Sequence, residues 1–285
     1  MRSRDRTRPT IVSVLGNAAL VAGVGCAFVR RSVATYLSYR AKLSLGLASL
    51  VLSVMTFVFV GRAVAVSGPG FVRRFGVDYT SFVVVGVLVH AVASSGLHVF
   101  RSALRREQLQ GTLELLQTFA VPAPLLVVFA GAGELVVTAA GGAAFLAVAS
   151  AIADLRLTVT PMMLLAVFLY VSFSCGVGLA SAGFVLVSKE GDPISWALGA
   201  AAGLLGGVYF PVDLLPHRLQ RVASILPTTH ALALVRSGLG AAPPASPTAS
   251  LSMLVAAAAV SLSVGLLALR WGHRRARRTG TLGEY

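Results

Sequence analysis

The sequence predicts an all-α polytopic membrane protein with six transmembrane helices, an N-terminal amphipathic interfacial helix and short re-entrant helices between helices 5 and 6. Three observations predict it. Hydrophobic residues fill 56% of the 285 positions and charged residues only 12%, about half of the ~25% usual in soluble domains. Apolar stretches recur at the length needed to cross a bilayer, roughly 20 residues as a helix, the form that satisfies its own backbone in lipid. The charges collect at the two ends and in short clusters between the stretches.

Six segments carry the spanning pattern, at about 43–60, 80–99, 121–148, 159–187, 194–210 and 251–269. They divide the chain into a region 1–42, a cytoplasmic tail with an interfacial helix, and a transmembrane domain 43–285. Pro122 and Pro124 open the third segment and Pro161 the fourth. Proline suits a first helical turn, whose amides have no internal partner. The length fits about six crossings and leaves no room for a separate catalytic domain.

Lysine and arginine set the orientation. With the N-terminus inside, seventeen fall on the cytoplasmic side and seven outside. The bias places both termini in the cytoplasm. The net charge of +14 therefore reads as membrane anchoring against anionic lipid, not as nucleic-acid binding. Residues 11–29 hold no formal charge. Rich in glycine and alanine and followed by Arg30-Arg31, they read as an interfacial helix, with a seventh span as the alternative. Cys26 and Cys175 lie far apart in apolar surroundings, match no metal spacing and are expected to pack as small hydrophobes.

After the fifth segment, PVDLLPHRLQRVASILPTTHALALVRSGLG is broken by Pro211, Pro216 and Pro227 into pieces too short to span. They read as short helices at, or dipping into, the external face. The following AAPPASPTAS is a polar loop.

Four features stand out as candidates for function. The connection RSALRREQLQGTLELLQT, residues 101–118, pairs leucines at helical spacing with Arg105, Arg106, Glu107 and Glu114. It reads as an amphipathic helix interrupted at Gly111-Thr112, either a solvated connector or a dock for a cytoplasmic partner. Gly199, Gly203 and Gly207 recur every four residues and allow close helix approach. Glu134 is the one acidic residue deep in an apolar span; it must face protein, water or a partner, and proton coupling is one reading. The last is the proline-broken run itself, with Tyr209 and Asp213 among its polar members.

The sequence holds no GxxxxGK[ST] loop, no HExxH and no paired cysteine motif. This chain is expected to bind neither ATP nor metal, and to have no catalytic residue.

Taken in order, these features resemble the permease subunits of the ABC-2 type exporters. The resemblance rests on Tyr36-Leu37-Ser38-Tyr39-Arg40, on Gly111-Thr112-Leu113-Glu114, and most strongly on Gly206-Gly207-Val208-Tyr209-Phe210-Pro211-Val212-Asp213-Leu214-Leu215-Pro216. It continues through Leu226-Pro227-Thr228-Thr229-His230-Ala231 and Arg236 to the basic tail at Arg278. It implies a bacterial cytoplasmic-membrane permease, paired with an identical or related second permease and with two ABC-type ATP-binding subunits that hold ATP and Mg. Coupling to the ATPase would fall on Arg105, Arg106, Glu107, Gly111, Thr112 and Glu114. The translocation path would run between permeases along the first, second and fifth helices, and the substrate would be hydrophobic or lipid-linked. A non-transporting membrane anchor and a proton-coupled secondary transporter are the competing readings.

Overall fold

The computed structural model describes residues 18–38, 40–66, 76–109, 123–153, 158–188, 192–241 and 244–279. Among them every regular element is helical: α1 (Ala18–Ser38), α2 (Arg40–Val66), α3 (Tyr79–Leu109), α4 (Ala123–Ala153), α5 (Pro161–Ser188), α6 (Pro193–Leu205), a 3-10 turn (Val212–Leu214), α7 (His217–Ala223), α8 (Pro227–Ser237) and α9 (Pro247–Thr279).

Local chemistry explains where the helices begin. Asp78 accepts the Ser81 amide at 3.0 Å and caps α3. Thr160 accepts the Met163 amide at 3.2 Å ahead of Pro161, and Ser246 accepts the Ala249 amide at 3.3 Å ahead of Pro247. Asp192 accepts the Ser195 amide at 3.0 Å ahead of Pro193. An oxygen-bearing cap followed by proline supplies a partner for one orphan amide and removes another.

Five of these helices are long and apolar enough to cross a membrane, over Ser44–Ala63, Tyr79–Arg106, Leu125–Ile152, Pro161–Ser188 and Pro247–Ala276. The sequence expectation was six. The fifth expected span, 194–210, is instead a helix of 13 residues, about 20 Å long at 1.5 Å per residue, short of the roughly 30 Å hydrocarbon core. It stops because Gly206 closes it and Gly207 takes φ +80°, a left-handed conformation that an L side chain resists. The expected apolar helix at 11–29 is α1, which begins at Ala18 and continues through Arg30-Arg31 to Ser38; residues 11–17 lie outside the described residues.

Helix α5 is central, packing on α3, α8 and α9. One core joins Val85, Val89 and Ala93 of α3 to Met163, Ala166 and Tyr170 of α5 and to Leu232, Leu234 and Val235 of α8. A second, at the other end of α3, joins Phe100 and Leu104 to Val127 of α4 and to Leu179, Ala182 and Leu186 of α5. Helix α1 lies on α4, with Val24 and Phe28 against Leu126. Cys175 is buried as expected, but Cys26 is exposed, because α1 has α4 on one side only.

Lipid contributes no hydrophobic drive between spans, so close approach of small residues supplies the packing. A Cβ on Gly183 of α5 would sit 2.5 Å from the Ala268 carbonyl oxygen of α9, and one on Gly176 would collide with the backbone of Ser261 and Leu262. Reciprocally, a Cβ on Gly265 or Gly272 of α9 would strike the carbonyls of Gly176 and Gly183. This seam repeats every seven residues on both helices, two full turns.

Candidate functional site

Functional side chains gather at the two ends of α3, a 31-residue helix about 46 Å long. The Tyr79 end meets the chain that follows α6. There Gly207 reverses the backbone, so the carbonyls of Gly207 and Val208 lie outside any helical ladder. Arg236 of α8 fills this gap. Its Nη1 donates to the Gly207 carbonyl at 2.8 Å, and its Nη2 donates to those of Phe82 at 3.0 Å and Val208 at 3.1 Å. The guanidinium stacks 3.3 Å from the Phe82 ring centroid, a favourable cation–π geometry. Gly86 makes room, because a Cβ there would meet the Val208 carbonyl and the guanidinium. Arg236 is 7% exposed, and burial pushes its pKa down to about 9, so it stays charged at neutral pH. Its charge is met by carbonyl dipoles and a ring face.

The rest of this end is tied by similar bonds. Tyr79 donates its hydroxyl to the Tyr209 carbonyl at 3.1 Å. Pro211 precedes the 3-10 turn that carries Asp213, and Pro216 precedes α7. Gln220 of α7 donates to the carbonyls of Asp213 at 3.2 Å and Leu215 at 2.8 Å. Pro227 opens α8 and is buried. The hydroxyls of Tyr170 and Thr228 pair at 2.8 Å inside the core. Tyr209, Pro211, Asp213, Pro216 and Pro227, the residues expected in the re-entrant region, lie along the chain between α6 and the start of α8, and Gly207, expected in the packing stripe, makes the turn that opens it. In the sequence Arg236 counted as an external cation and as part of the resemblance, with no sign of its burial; its place four residues after Leu232 on α8 puts it on the inward face.

Gly199 and Gly203 sit on α6 facing α3, where a Cβ would lie 3.6 Å from Leu97 and 3.5 Å from His90 respectively. These are ordinary contacts with side chains. Backbone-to-backbone approach between α5 and α9 is made by Gly176, Gly183, Gly265 and Gly272, whose seven-residue spacing was the overlooked signal.

At the Leu109 end, Arg106 donates to Glu134 of α4 at 2.9 Å. Arg106 closes the apolar window of α3, so Glu134 lies level with the end of that window and is answered by a cation. Arg101 stands 3.6 Å from Asp192. Burial alone would raise the Asp192 pKa; the Ser181 hydroxyl, the Ser195 amide and hydroxyl, and the Arg101 charge outweigh it and hold the carboxyl below its usual range. Its contribution to stability is thus present above the ordinary carboxylate pKa and is lost as pH falls through the folded value. The Ser195 hydroxyl donates to the Leu97 carbonyl at 3.1 Å, which locks the start of α6 to α3. Arg105 is exposed on α3 and Glu107 lies in its last turn. Gly111, Thr112 and Glu114 lie outside the described residues.

The Arg106–Glu134 pair is half-exposed at 48% and 35% of its side chains, and such pairs contribute about 0–1 kcal/mol. Glu134→Gln is expected to shift the unfolding midpoint in detergent only slightly and to leave transport intact. Loss of transport with retained folding would restore a proton-carrying role.

Five long apolar helices, with polar contacts at the ends of one of them, define a multi-pass membrane protein. The profile of the ABC-2 type transporter family matches residues 26–239, and the chain belongs to that family. It is a permease component, a transmembrane part of a transporter that works with ABC-type ATP-binding subunits and does not itself catalyse. A search of curated proteins returned no match.

Proposed function

We propose that this chain is the permease subunit of an ATP-driven exporter, moving a hydrophobic or lipid-linked substrate out of the cytoplasm or its inner leaflet. The observation that carries the reading is the continuity of α3. The helix runs unbroken from the apolar window into the connection, through Arg101, Arg105 and Arg106 to Leu109. A helix transmits displacement along its axis because every turn is hydrogen-bonded to the next. A push on the connection by a nucleotide-bound partner would reach Gly207 and Arg236 at the far end.

In this reading two permeases, identical or related, sit on two ATP-binding subunits that hold ATP and Mg. Arg105, Arg106, Glu107, Gly111, Thr112 and Glu114 form the dock. The bacterial cytoplasmic membrane is the site, with both termini inside. Helix α6 is too short to cross alone and completes a fifth crossing together with the chain that follows it to Phe210, while the 3-10 turn, α7 and α8 dip into the external face. Nucleotide state biases two helix arrangements of similar stability.

Affinity purification in mild detergent tests this. An ATP-binding subunit is expected in stoichiometric yield, and vesicles lacking it are expected to lose export while the permease stays inserted. Undiminished transport without the ATPase would overturn the proposal. Engagement of Glu134 by Arg106 weakens the proton-coupled alternative, since no free carboxylate stands there.

A further inference from the structure

Helix α6 is held by little apolar contact. Its buried residues are Ser195, Ala202 and Gly203, all small, while Ile194, Trp196 and Leu204 are exposed. Lipid gives spans no hydrophobic drive toward one another, so packing of this kind fixes the helix only weakly. Polar bonds at its two ends fix it instead, and both sets run to α3. Past its last turn, Tyr79 of α3 donates to the Tyr209 carbonyl, and Arg236 joins the Phe82 carbonyl of α3 to those of Gly207 and Val208. At its first turn, the Ser195 hydroxyl donates to the Leu97 carbonyl of α3, and Asp192 faces Arg101 of α3.

Asp192 is the critical member of the second set. Its Oδ1 accepts the Ser195 amide, so the carboxylate is fixed to the first turn of α6. Its side chain is 4% exposed, against 35% for Glu134 in the other pair. Its Oδ2 and the Arg101 Nε are both buried without a hydrogen-bond partner among the described residues, 3.6 Å apart. Charges sealed from solvent are poorly screened, and a buried carboxylate parted from its cation is left uncompensated. Glu134 can exchange Arg106 for water; Asp192 has no such exit. The start of α6 is therefore bound to α3 by a pair that resists separation.

We propose that Asp192 is the positioning residue that makes α6 travel with α3, so that a displacement entering α3 from the connection carries α6 along as part of one body. The inference rests on the export reading and assigns a route within it. Asp192 acts through Arg101 and the first turn of α6, not through contact with a substrate. The ties of Tyr79 and Arg236 make the other end of α6 follow.

Spin labels on Ser102→Cys of α3 and Trp196→Cys of α6, both exposed positions, test it in the purified transporter complex carrying Cys26→Ser and Cys175→Ala. Dipolar coupling in this parent is expected to report one narrow separation, unchanged when the ATP-binding subunits are trapped with ADP and vanadate. Asp192→Asn keeps an oxygen to cap Ser195 and removes the charge; it is expected to shift the separation to a longer, broader distribution. Arg101→Gln is expected to do the same, and Arg101→Lys, which keeps the charge, to preserve the parental separation. Glu134→Gln, which opens the exposed pair, is expected to leave the separation narrow, an outcome that a general loosening of the fold does not give. A parental separation that changes on trapping, or an Asp192→Asn protein as narrow as the parent, would overturn the proposal. The two readings fail separately: a permease that purifies without an ATP-binding subunit sinks the export reading, while equal separations in parent and Asp192→Asn complexes that hydrolyse ATP sink this inference alone.

Discussion

Arg236→Leu is expected to yield a protein that inserts but loses its folded core at the Tyr79 end of α3. The substitution removes the donors for the Gly207 and Val208 carbonyls, which the turn at Gly207 has withdrawn from any helical ladder. Two buried carbonyls left unsatisfied cost about 1–3 kcal/mol each, so a total of about 2–6 kcal/mol is expected. Arg236→Lys is expected to recover little of this. An ammonium is a compact point charge that reaches fewer of the three carbonyls and does not stack flat on Phe82. Thermal unfolding in detergent, followed by size-exclusion of the surviving monodisperse fraction, measures both variants. A Leu variant as stable as the parent would show that water or lipid headgroups satisfy those carbonyls equally well. Phe82→Leu provides a graded control: it removes the ring and keeps the hydrogen bonds, and a loss of about 1 kcal/mol is expected.

Gly183→Val is expected to separate α5 from α9, and the effect should be as large. Valine carries a Cβ that would lie 2.5 Å from the Ala268 carbonyl oxygen and 2.7 Å from the Leu269 amide nitrogen. Both are backbone atoms, so no side-chain rotation relieves the clash and the helices must move apart. Overpacking of an ordinary core costs about 1–3 kcal/mol; here the separation also strips contact from Gly176, Gly265 and Gly272 in the same seam. Even Gly183→Ala is expected to destabilise. Gly141→Ala is the matched control, because nothing lies within 4 Å of a Cβ there and alanine favours helix over glycine by about 0.8–1.0 kcal/mol. Protease resistance of the α9 tail in vesicles reads the outcome. A Gly183→Val protein as resistant as the parent would mean that α5 and α9 are not packed this closely.

The two predictions differ in how visible they were beforehand. Pro211, Pro216 and Pro227 stood out in the sequence because each breaks the local backbone pattern, and in the structure they precede the 3-10 turn, precede α7 and open α8. Arg236 sits in the same stretch and was marked as part of the resemblance, but its burial was not, since burial of a cation depends on a carbonyl cage assembled from α3 and the turn after α6. The glycine stripe at Gly199, Gly203 and Gly207 was conspicuous for its four-residue period. The closer seam escaped notice because its glycines are spread over two helices about ninety residues apart. Glu134 was marked as needing protein, water or a partner, and Arg106 as charged; that the two meet could be known only once α3 and α4 were seen side by side.

What the sequence determined on its own is the membrane class of the chain and, to within a few residues, the places where its long helices start. These are local matters. Hydrocarbon offers backbone amides no partner, so each long apolar stretch must close its own hydrogen bonds, and caps and prolines then mark its ends within a few residues. Tertiary structure alone decided which helix faces are paired, which cation is buried, and that α6 is tied to α3 at both of its ends. Those outcomes depend on contacts between residues distant in the chain, and lipid, as apolar as the side chains themselves, gives composition no power to say which face looks inward.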